Sequence, residues 1–398
     1  MIPFGAGFSL EGNFSQPYSG ICIDFTLMDK ILAFHPDDMD VVVQPGIIWA
    51  DLNTQIESSG LFAPMDPSVA ATVGGMVSTN CSGPYAFRYG TMKDWVLNLT
   101  VVLADGRVIK TRRRPRKTSA GYNLTSLFVG AEGTLGIVTE VTLKLAPIPE
   151  DSSVAVVPFV SIAEAANAAT ALIRSGIPIA AMGITDEVQM KILNLYGSAG
   201  VRKRRWEEKP TLFLRFAGTT QGIQSDISKV KEVVRPFNVP FVLPKSKAEE
   251  KAFWAASKEA LFSMVKIRPE GMEMWSTDVA VPISRLAEII EWSKRECGNR
   301  KLKIFATVLG QVGDGNFHLA MFYNPRNQKQ KEAVEKFVKE MMDMALEMGG
   351  TVSGQHGIGI GKKDYLRDEL GPETIGLMRE LKRTVDPKWI MNPGKVFD

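Results

Sequence analysis

The sequence is short of the residues that build disulfide frameworks and metal clusters. It holds three cysteines and three histidines in 398 residues. Cys22, Cys81 and Cys297 are odd in number and far apart, so no disulfide scaffold or cysteine zinc site can be assembled from them. A reducing compartment is the default. Charge of one sign is lacking too. Lys and Arg number 47 against 44 Asp and Glu, a net +3 without the basic excess of a nucleic-acid protein. No apolar run approaches the roughly 20 residues of a membrane span. The start, Met1-Ile2-Pro3-Phe4-Gly5, is neither a basic presequence nor a secretion signal, so the chain as written would be cytoplasmic. No GKS/T and no strand–GxGxxG–helix pattern is present, which sets aside the Walker and Rossmann phosphate sites.

What is present is ordinary globular composition, 45% hydrophobic and 23% charged, in a chain long enough for two or three units. Residues 1–150 are rich in glycine, valine and short apolar runs. Val41–Val43, Leu99–Leu103 and Ile137–Leu143 read as strands. Asp105-Gly106 between apolar runs is a hairpin signal, and residues 50–59 are the best helix candidate there. From 151 to 348 strand-like runs (154–160, 211–217, 273–281, 303–310, 317–323) alternate with helical ones (162–175, 220–234, 246–264, 283–296, 327–348). That pattern predicts one broad sheet backed by helices. Residues 349–398 hold a glycine-rich loop, a helix near 372–384 and a polar tail expected to return to the first domain. The basic run Arg112-Arg113-Arg114-Pro115-Arg116-Lys117 reads as a solvated loop, with a nuclear signal or a phosphate contact as alternatives.

Four glycine-rich stretches lie in the first domain. They are Gly5-Ala6-Gly7-Phe8-Ser9-Leu10-Glu11-Gly12, Gly74-Gly75-Met76, Ser82-Gly83 with Arg88-Tyr89-Gly90, and Gly130-Ala131-Glu132-Gly133-Thr134-Leu135-Gly136. Glycine lets backbone N–H groups approach a phosphate closely, and consecutive amides form an anion-binding concavity. With Val43-Gln44-Pro45-Gly46, Pro64-Met65-Asp66-Pro67 and Ile137-Val138-Thr139-Glu140, their order resembles the FAD domain of the vanillyl-alcohol-oxidase family. Lys117-Thr118-Ser119-Ala120-Gly121-Tyr122-Asn123-Leu124, Trp275–Pro282 and Met391-Asn392-Pro393-Gly394-Lys395 are similar to its D-lactate dehydrogenase (cytochrome) branch.

The resemblance implies an α+β protein. A PCMH-type FAD-binding domain occupies residues 1–150, an α/β cap or substrate domain residues 151–348, and a C-terminal segment, 349–398, completes the FAD site. Family members carry a further helix and two strands before the first glycine loop, so the FAD domain here is expected to be N-terminally shortened. The cofactor-binding residues implied are Gly5, Ala6, Gly7, Phe8, Ser9, Leu10, Gly12, Pro67, Gly74, Gly75, Ser82, Gly83, Tyr89, Gly90, Glu132, Gly133, Gly136, Ile137, Val138 and Asn392. Phe8 departs from the small or hydroxylated residue of the family. The resemblance also implies non-covalent FAD, a small-molecule hydroxy acid as substrate, cytochrome c as electron acceptor and a mitochondrial location.

Oxidising a 2-hydroxy acid calls for a cation on the carboxylate, a base for the hydroxyl and a metal or dipole for the developing alkoxide. His318 and His356 lie in glycine-rich loops, where histidine is rarely a core residue; His35 sits in a turn and reads as structural. By the resemblance His356 is the base, with His318 and Asn316 also in the catalytic set. The family's zinc or manganese would be held at positions 311, 318 and 355. This chain has Gln311 and Gln355 at two of them, so no intact metal set is expected. Ser257 stands where the family has the arginine that grips the carboxylate, and Lys258 next to it is turned about 100° away on a helix. Gly183 stands where the family usually has glutamate. Three readings stay open: a D-2-hydroxyacid dehydrogenase with altered substrate, a catalytically impaired flavoprotein derived from it, and a berberine-bridge-type oxidase. The last needs a signal peptide and a His/Cys pair in the flavin domain, and neither is evident.

Overall fold

The computed structural model describes residues 1–67, 70–299 and 304–398. The chain divides into two units, residues 1–148 with 355–398, and residues 149–354.

In the first unit the strands are β1 (Ile2–Phe4), β2 (Cys22–Asp24), β3 (Ile31–His35), β4 (Asp40–Val43), β5 (Leu61–Phe62), β6 (Val96–Val102), β7 (Val108–Lys110), β8 (Ile137–Lys144) and β9 (Ala146–Pro147). An antiparallel five-stranded sheet runs in the order β3-β4-β8-β6-β7, beside a parallel pair β1-β2 and a short pair β5-β9. The apolar runs seen in the sequence build its core. Val41, Val43, Leu99, Val101 and Val141 are fully buried against Leu52, Val73 and Val77 of two short helices. The Asp105-Gly106 hairpin is present: Gly106 takes φ 86°, and Leu103 N–H donates to Arg107 O. The helix expected over 50–59 runs Trp49–Ile56, and a 3-10 turn carries on over Glu57–Ser59. His35, read as structural, pairs its Nδ1 with Asp40 at 2.8 Å.

The segment 355–398 belongs to this unit. Its helix, Lys363–Val385, begins earlier than the expected 372–384. Gly371 (φ 74°) and Pro372 break it, so the punctuation that starts the second half hides the first. Lys382 is buried and donates to Thr134 O (2.6 Å), Met391 O (2.8 Å) and Asp386. Glu132 does more. Its carboxylate accepts from Asn13 Nδ2 and from the N–H groups of Ile358 (2.7 Å) and Gly359 (2.8 Å), while its carbonyl accepts from Asn392 Nδ2 (2.6 Å). Burial holds this carboxyl above the usual range, and the three donors pull the other way.

The second unit contains β10 (Asp151–Pro158), β11 (Ala181–Thr185), β12 (Thr211–Gly218), β13 (Glu273–Ser276), β14 (Val279–Ala280), β15 (Phe305–Gly310) and β16 (Asn316–Tyr323). They form one antiparallel sheet, β10-β12-β11-β15-β16-β13, with β14 also on β16. Helices Ile162–Arg174, Thr220–Val234 and Gln328–Glu347 lie within a few residues of their expected spans. Residue 303, the first of the expected 303–310 strand, lies outside the described residues.

Three expectations need correction. The helix expected over 246–264 is two, Lys247–Lys258 and Ala260–Ile267, joined at Glu259. The helix expected from 283 opens with a 3-10 turn, Ile283–Arg285, before Leu286–Asn299. The strand expected over 273–281 is broken at Thr277-Asp278. There Leu319 N–H donates to the Thr277 hydroxyl (3.0 Å), so a side chain takes over a ladder bond and Asp278 is released from the sheet.

Two expected outcomes follow. Glu132→Gln keeps the size but turns an NH2 toward donors, and should cost about 1–3 kcal/mol for the donor left unsatisfied. Thermal unfolding checks it; unchanged melting would show that the carboxylate does not hold the three stretches. Asp186 caps the helix Glu187–Tyr196 and accepts from Thr307 (2.6 Å) and Val308 N (3.1 Å). Burial raises its pKa above 3.8, against Lys294 and these donors, which lower it. The folded state then binds a proton more tightly than the unfolded one. The stability difference between the protein and Asp186→Asn should therefore shrink as pH rises from 3.8 through the elevated value. A difference that grew with pH in paired melts would contradict this.

Candidate functional site

In the first unit the glycine stretches meet at their glycines. A Cβ on Gly5 would lie 2.5 Å from Thr72 Oγ1, and one on Gly75 would lie 3.3 Å from the same atom. A Cβ on Gly133 would lie 2.5 Å from Pro3. The residues at 3–5, 72–75 and 133 can therefore approach only because side chains are missing there. Asn392, in the left-handed region at φ 39°, reaches Asn13 O (3.0 Å) and Glu132 O.

The loop 5–12 is anchored through its carbonyl side. Glu11 O accepts from Ile360 N (2.8 Å) and Gly361 N (3.1 Å), and Gly12 O from Ser15 N (3.0 Å). Among the described residues no backbone N–H of residues 5–12 donates to another group of the chain. Asn13 Oδ1 is buried and has no partner there either. A loop with unspent amide donors, closed by glycines, fits the anionic pyrophosphate of FAD. Phe8 is half exposed beside it, at 50%.

Other residues tied to the cofactor by resemblance have tasks within the fold. Ser82 donates to Gln355 Oε1 (2.9 Å). A Cβ on Gly83 would press on Asp66 at 2.8 Å, and one on Gly136 on Val101 at 2.7 Å. Ile137 and Val138 pair with Val102 and Val101 in the sheet. Tyr89 belongs to an edge-on aromatic group with Phe62 and Trp95. Gly90 stands over the Asp94 carboxylate, and Pro67 is partly buried. The carboxylate of Glu132 is fully engaged by the chain itself, so what it offers the loop is position.

His356 lies in the first unit with its ring largely buried. Its Nδ1 is 3.6 Å from Glu11 Oε1, which Lys362 Nζ approaches to 3.2 Å. Glu11 stands in the first glycine stretch, with no role read from the sequence, and Lys362 follows the loop of His356. They fix the surroundings of the imidazole.

In the second unit His318 sits on β16, buried, with Leu309 opposite on β15. Its Nδ1 lies 2.9 Å from Thr277 O, a carbonyl that can only accept. Nδ1 therefore carries the proton, and in the neutral ring Nε2 presents its lone pair. Asp278, completely buried, lies 3.6 Å from the same ring and accepts from Asn316 (3.1 Å) and Ser353 (3.0 Å). Asn316 also donates to Val279 O (2.9 Å). Sequence reasoning missed Asp278 because its place depends on the break in the strand.

The substituted positions of this unit gather at one end of the sheet. A Cβ on Gly183 would lie 2.7 Å from Ser257 Oγ and 3.8 Å from Gly310 O. The register Ile184–Gly310 sets Gly183 and Gln311 one residue beyond that pair on adjacent chain segments. Gln311 Oε1 is buried without a partner among the described residues. Of the three positions that the resemblance ties to a metal, two carry neutral amides, Gln311 and Gln355, and the amide of Gln355 is already bonded to Ser82. Neutral amides are poor ligands for a zinc or manganese ion.

Residues 1–112 match the FAD binding domain family, and residues 148–396 match the FAD linked oxidases, C-terminal domain. The chain is 42% identical over 398 residues to "D-lactate dehydrogenase [cytochrome], mitochondrial" of Arabidopsis thaliana, covering all of this chain and 69% of that one. It is 40% identical to "Probable D-lactate dehydrogenase, mitochondrial" of Danio rerio, covering all of this chain and 79% of that one. Among solved structures it superposes on 4-ethylphenol oxidase from Gulosibacter chungangensis with TM-score 0.79, at 17% identity, covering 100% of this chain and 84% of that one. It superposes on p-cresol methylhydroxylase with TM-score 0.77, at 18% identity and the same coverage. At these identities the two structures speak for the fold alone. The chain belongs to the FAD-linked oxidases, built as an FAD-binding domain with the family's C-terminal domain, and is an FAD-dependent oxidoreductase.

Proposed function

We propose that this protein oxidises a D-2-hydroxy acid of the D-lactate class to the 2-oxo acid, with a loosened hold on the carboxylate. The observation that carries the reading is His318, buried on β16 with Nδ1 held on Thr277 O. A buried imidazole in a fixed tautomer, backed by Asp278 and Asn316, is suited to receive a substrate hydroxyl. The names of the curated relatives point to the same chemistry.

FAD, when bound, supplies the hydride acceptor. The N–H groups of residues 5–12 would hold its pyrophosphate, with Gly75 packed close to Gly5 through Thr72. Asn392, fixed by Asn13 and Glu132, would hold the flavin ring. His356, placed beside Glu11, takes the hydroxyl proton. His318 and Asn316 orient the hydroxyl oxygen. No step passes through a metal. Ser257 supplies a hydroxyl dipole where a cation would grip the carboxylate, and the unpartnered Gln311 Oε1 favours a neutral donor on the substrate. Together these favour a larger or less charged hydroxy acid over D-lactate itself. The relatives' names also support a cytochrome as electron acceptor and a mitochondrial location.

The reading is tested by D-lactate oxidation with an artificial acceptor and, in parallel, with cytochrome c. Turnover of D-lactate should be measurable, with a high KM. Ser257→Arg should lower that KM tenfold or more, since a charge-assisted bond to a buried carboxylate contributes about 2–5 kcal/mol. Adding Gln311→His and Gln355→Glu should bring stoichiometric zinc or manganese that the unmodified protein lacks. No turnover of any D-2-hydroxy acid, even in the triple variant, would contradict the reading in favour of an impaired flavoprotein.

A further inference from the structure

The basic run after β7 is not a uniform solvated loop. Arg114 is neutralised, with its guanidinium 2.7 Å from Asp38 and 2.8 Å from Asp40. Its neighbours are not. Arg112 and Arg116 line a cavity of about 300 Å³ with Lys93 and Lys144, and Asp94 is the one carboxylate among its lining residues. The cavity lies within the first unit, between the helix Met92–Trp95, the start of β6, the end of β8 and the turn of helix at Asn123–Ser126. None of the residues assigned to the flavin lines it.

The charges are left over after the local bonds are counted. Asp94 spends an oxygen on Thr91 N (2.9 Å), capping its own helix. Arg112 donates to the carbonyl of Pro115, and Arg116 to those of Asp38 and Met39 at 3.3 Å. These acceptors are neutral and cancel no charge. Arg112 Nε is buried and has no partner among the described residues. Lys144 Nζ lies over the Trp95 ring, 5.3 Å from its centre. Burial first, then Arg116 and Arg112, hold the Lys144 ammonium below its ordinary pKa, with Asp94 opposing. Four cations around one committed carboxylate, with a buried guanidinium N–H unspent, make a receptor for a compact polyanion. Planar guanidinium and point-charge ammonium together match the oxygens of a phosphate group.

We propose that this cavity is a phosphate-binding site, separate from the flavin and independent of the dehydrogenase reading. Its ligand carries a phosphate group, free in solution or on a lipid headgroup. The bound phosphate would sit on Arg112 and Lys144, with Lys93 and Arg116 completing the field.

The test uses the full chain saturated with FAD, so that the cofactor site cannot take the probe. Calorimetric titration with inorganic pyrophosphate should give one saturable site. Arg112→Gln and, as an independent variant, Lys144→Gln should each weaken it tenfold or more. Arg113→Gln, which removes an exposed arginine outside the lining, should change it less than twofold. Flavin content and melting temperature of each variant check that the fold is kept. Flotation with phosphatidylcholine vesicles, with and without phosphatidic acid, separates the sources. Arg112-dependent flotation assigns the headgroup, and pyrophosphate binding without flotation assigns a soluble ligand. Absence of Arg112-dependent binding in both arms overturns the proposal. So does an equal loss in Arg113→Gln, which marks diffuse charge attraction.

Discussion

A buried carboxylate, Glu132, ties together stretches of chain that lie more than a hundred residues apart. It sits at φ 51° between Ala131 and Gly133, a conformation that costs a non-glycine residue energy. Bonds from Asn13, Ile358 and Gly359 to its side chain, and from Asn392 to its carbonyl, offset that cost. Lys395, buried with its ammonium on Ser15 O, brings a positive charge into the same region. The loop 5–12 is thereby held through carbonyls and neighbouring side chains, and its N–H groups are spared. A phosphate cradle needs donors pointed outward and a backbone that does not relax when empty. The wiring around Glu132 provides both.

The second unit solves a different problem. Its sheet must present a polar imidazole from a buried strand without leaving polar atoms unsatisfied. Thr277 does this with two atoms, its carbonyl taking His318 Nδ1 and its hydroxyl taking Leu319 N. The resulting break in the strand frees Asp278 to accept from Asn316 and Ser353. At the same end of the sheet Gly183 and Ser257 are complementary. The serine hydroxyl fills the space a side chain at 183 would need. The two positions are coupled by packing, so a larger residue at one must be accommodated at the other.

Much of this was legible in the sequence. The glycine stretches could be read because glycine at a close backbone approach has no substitute. The helices Ile162–Arg174, Thr220–Val234 and Gln328–Glu347 could be read because their apolar period and their Ser, Thr and Asn caps agree. Helix Lys363–Val385 was half missed, because Gly371-Pro372 is a stop and a start in adjacent residues. The arrangement of the candidate site residues was not legible in the sequence. Glu132, expected to face the cofactor, spends its carboxylate on the chain. Ser82 bonds Gln355, and the cationic cavity at Arg112 lies in a run whose arginines look alike on paper. Local sequence carries no record of which arginine meets Asp38 and Asp40 and which meets only carbonyls.

The central claim is that this chain moves a hydride from a D-2-hydroxy acid to its flavin. Anaerobic titration of the FAD-loaded protein with D-lactate, L-lactate and longer D-2-hydroxy acids reads that half-reaction without any electron acceptor. The account predicts bleaching of the flavin's visible absorbance by D-enantiomers, at lower concentration for the longer acids than for D-lactate, and none by L-lactate. A flavin that dithionite bleaches fully but no D-2-hydroxy acid reduces would contradict it.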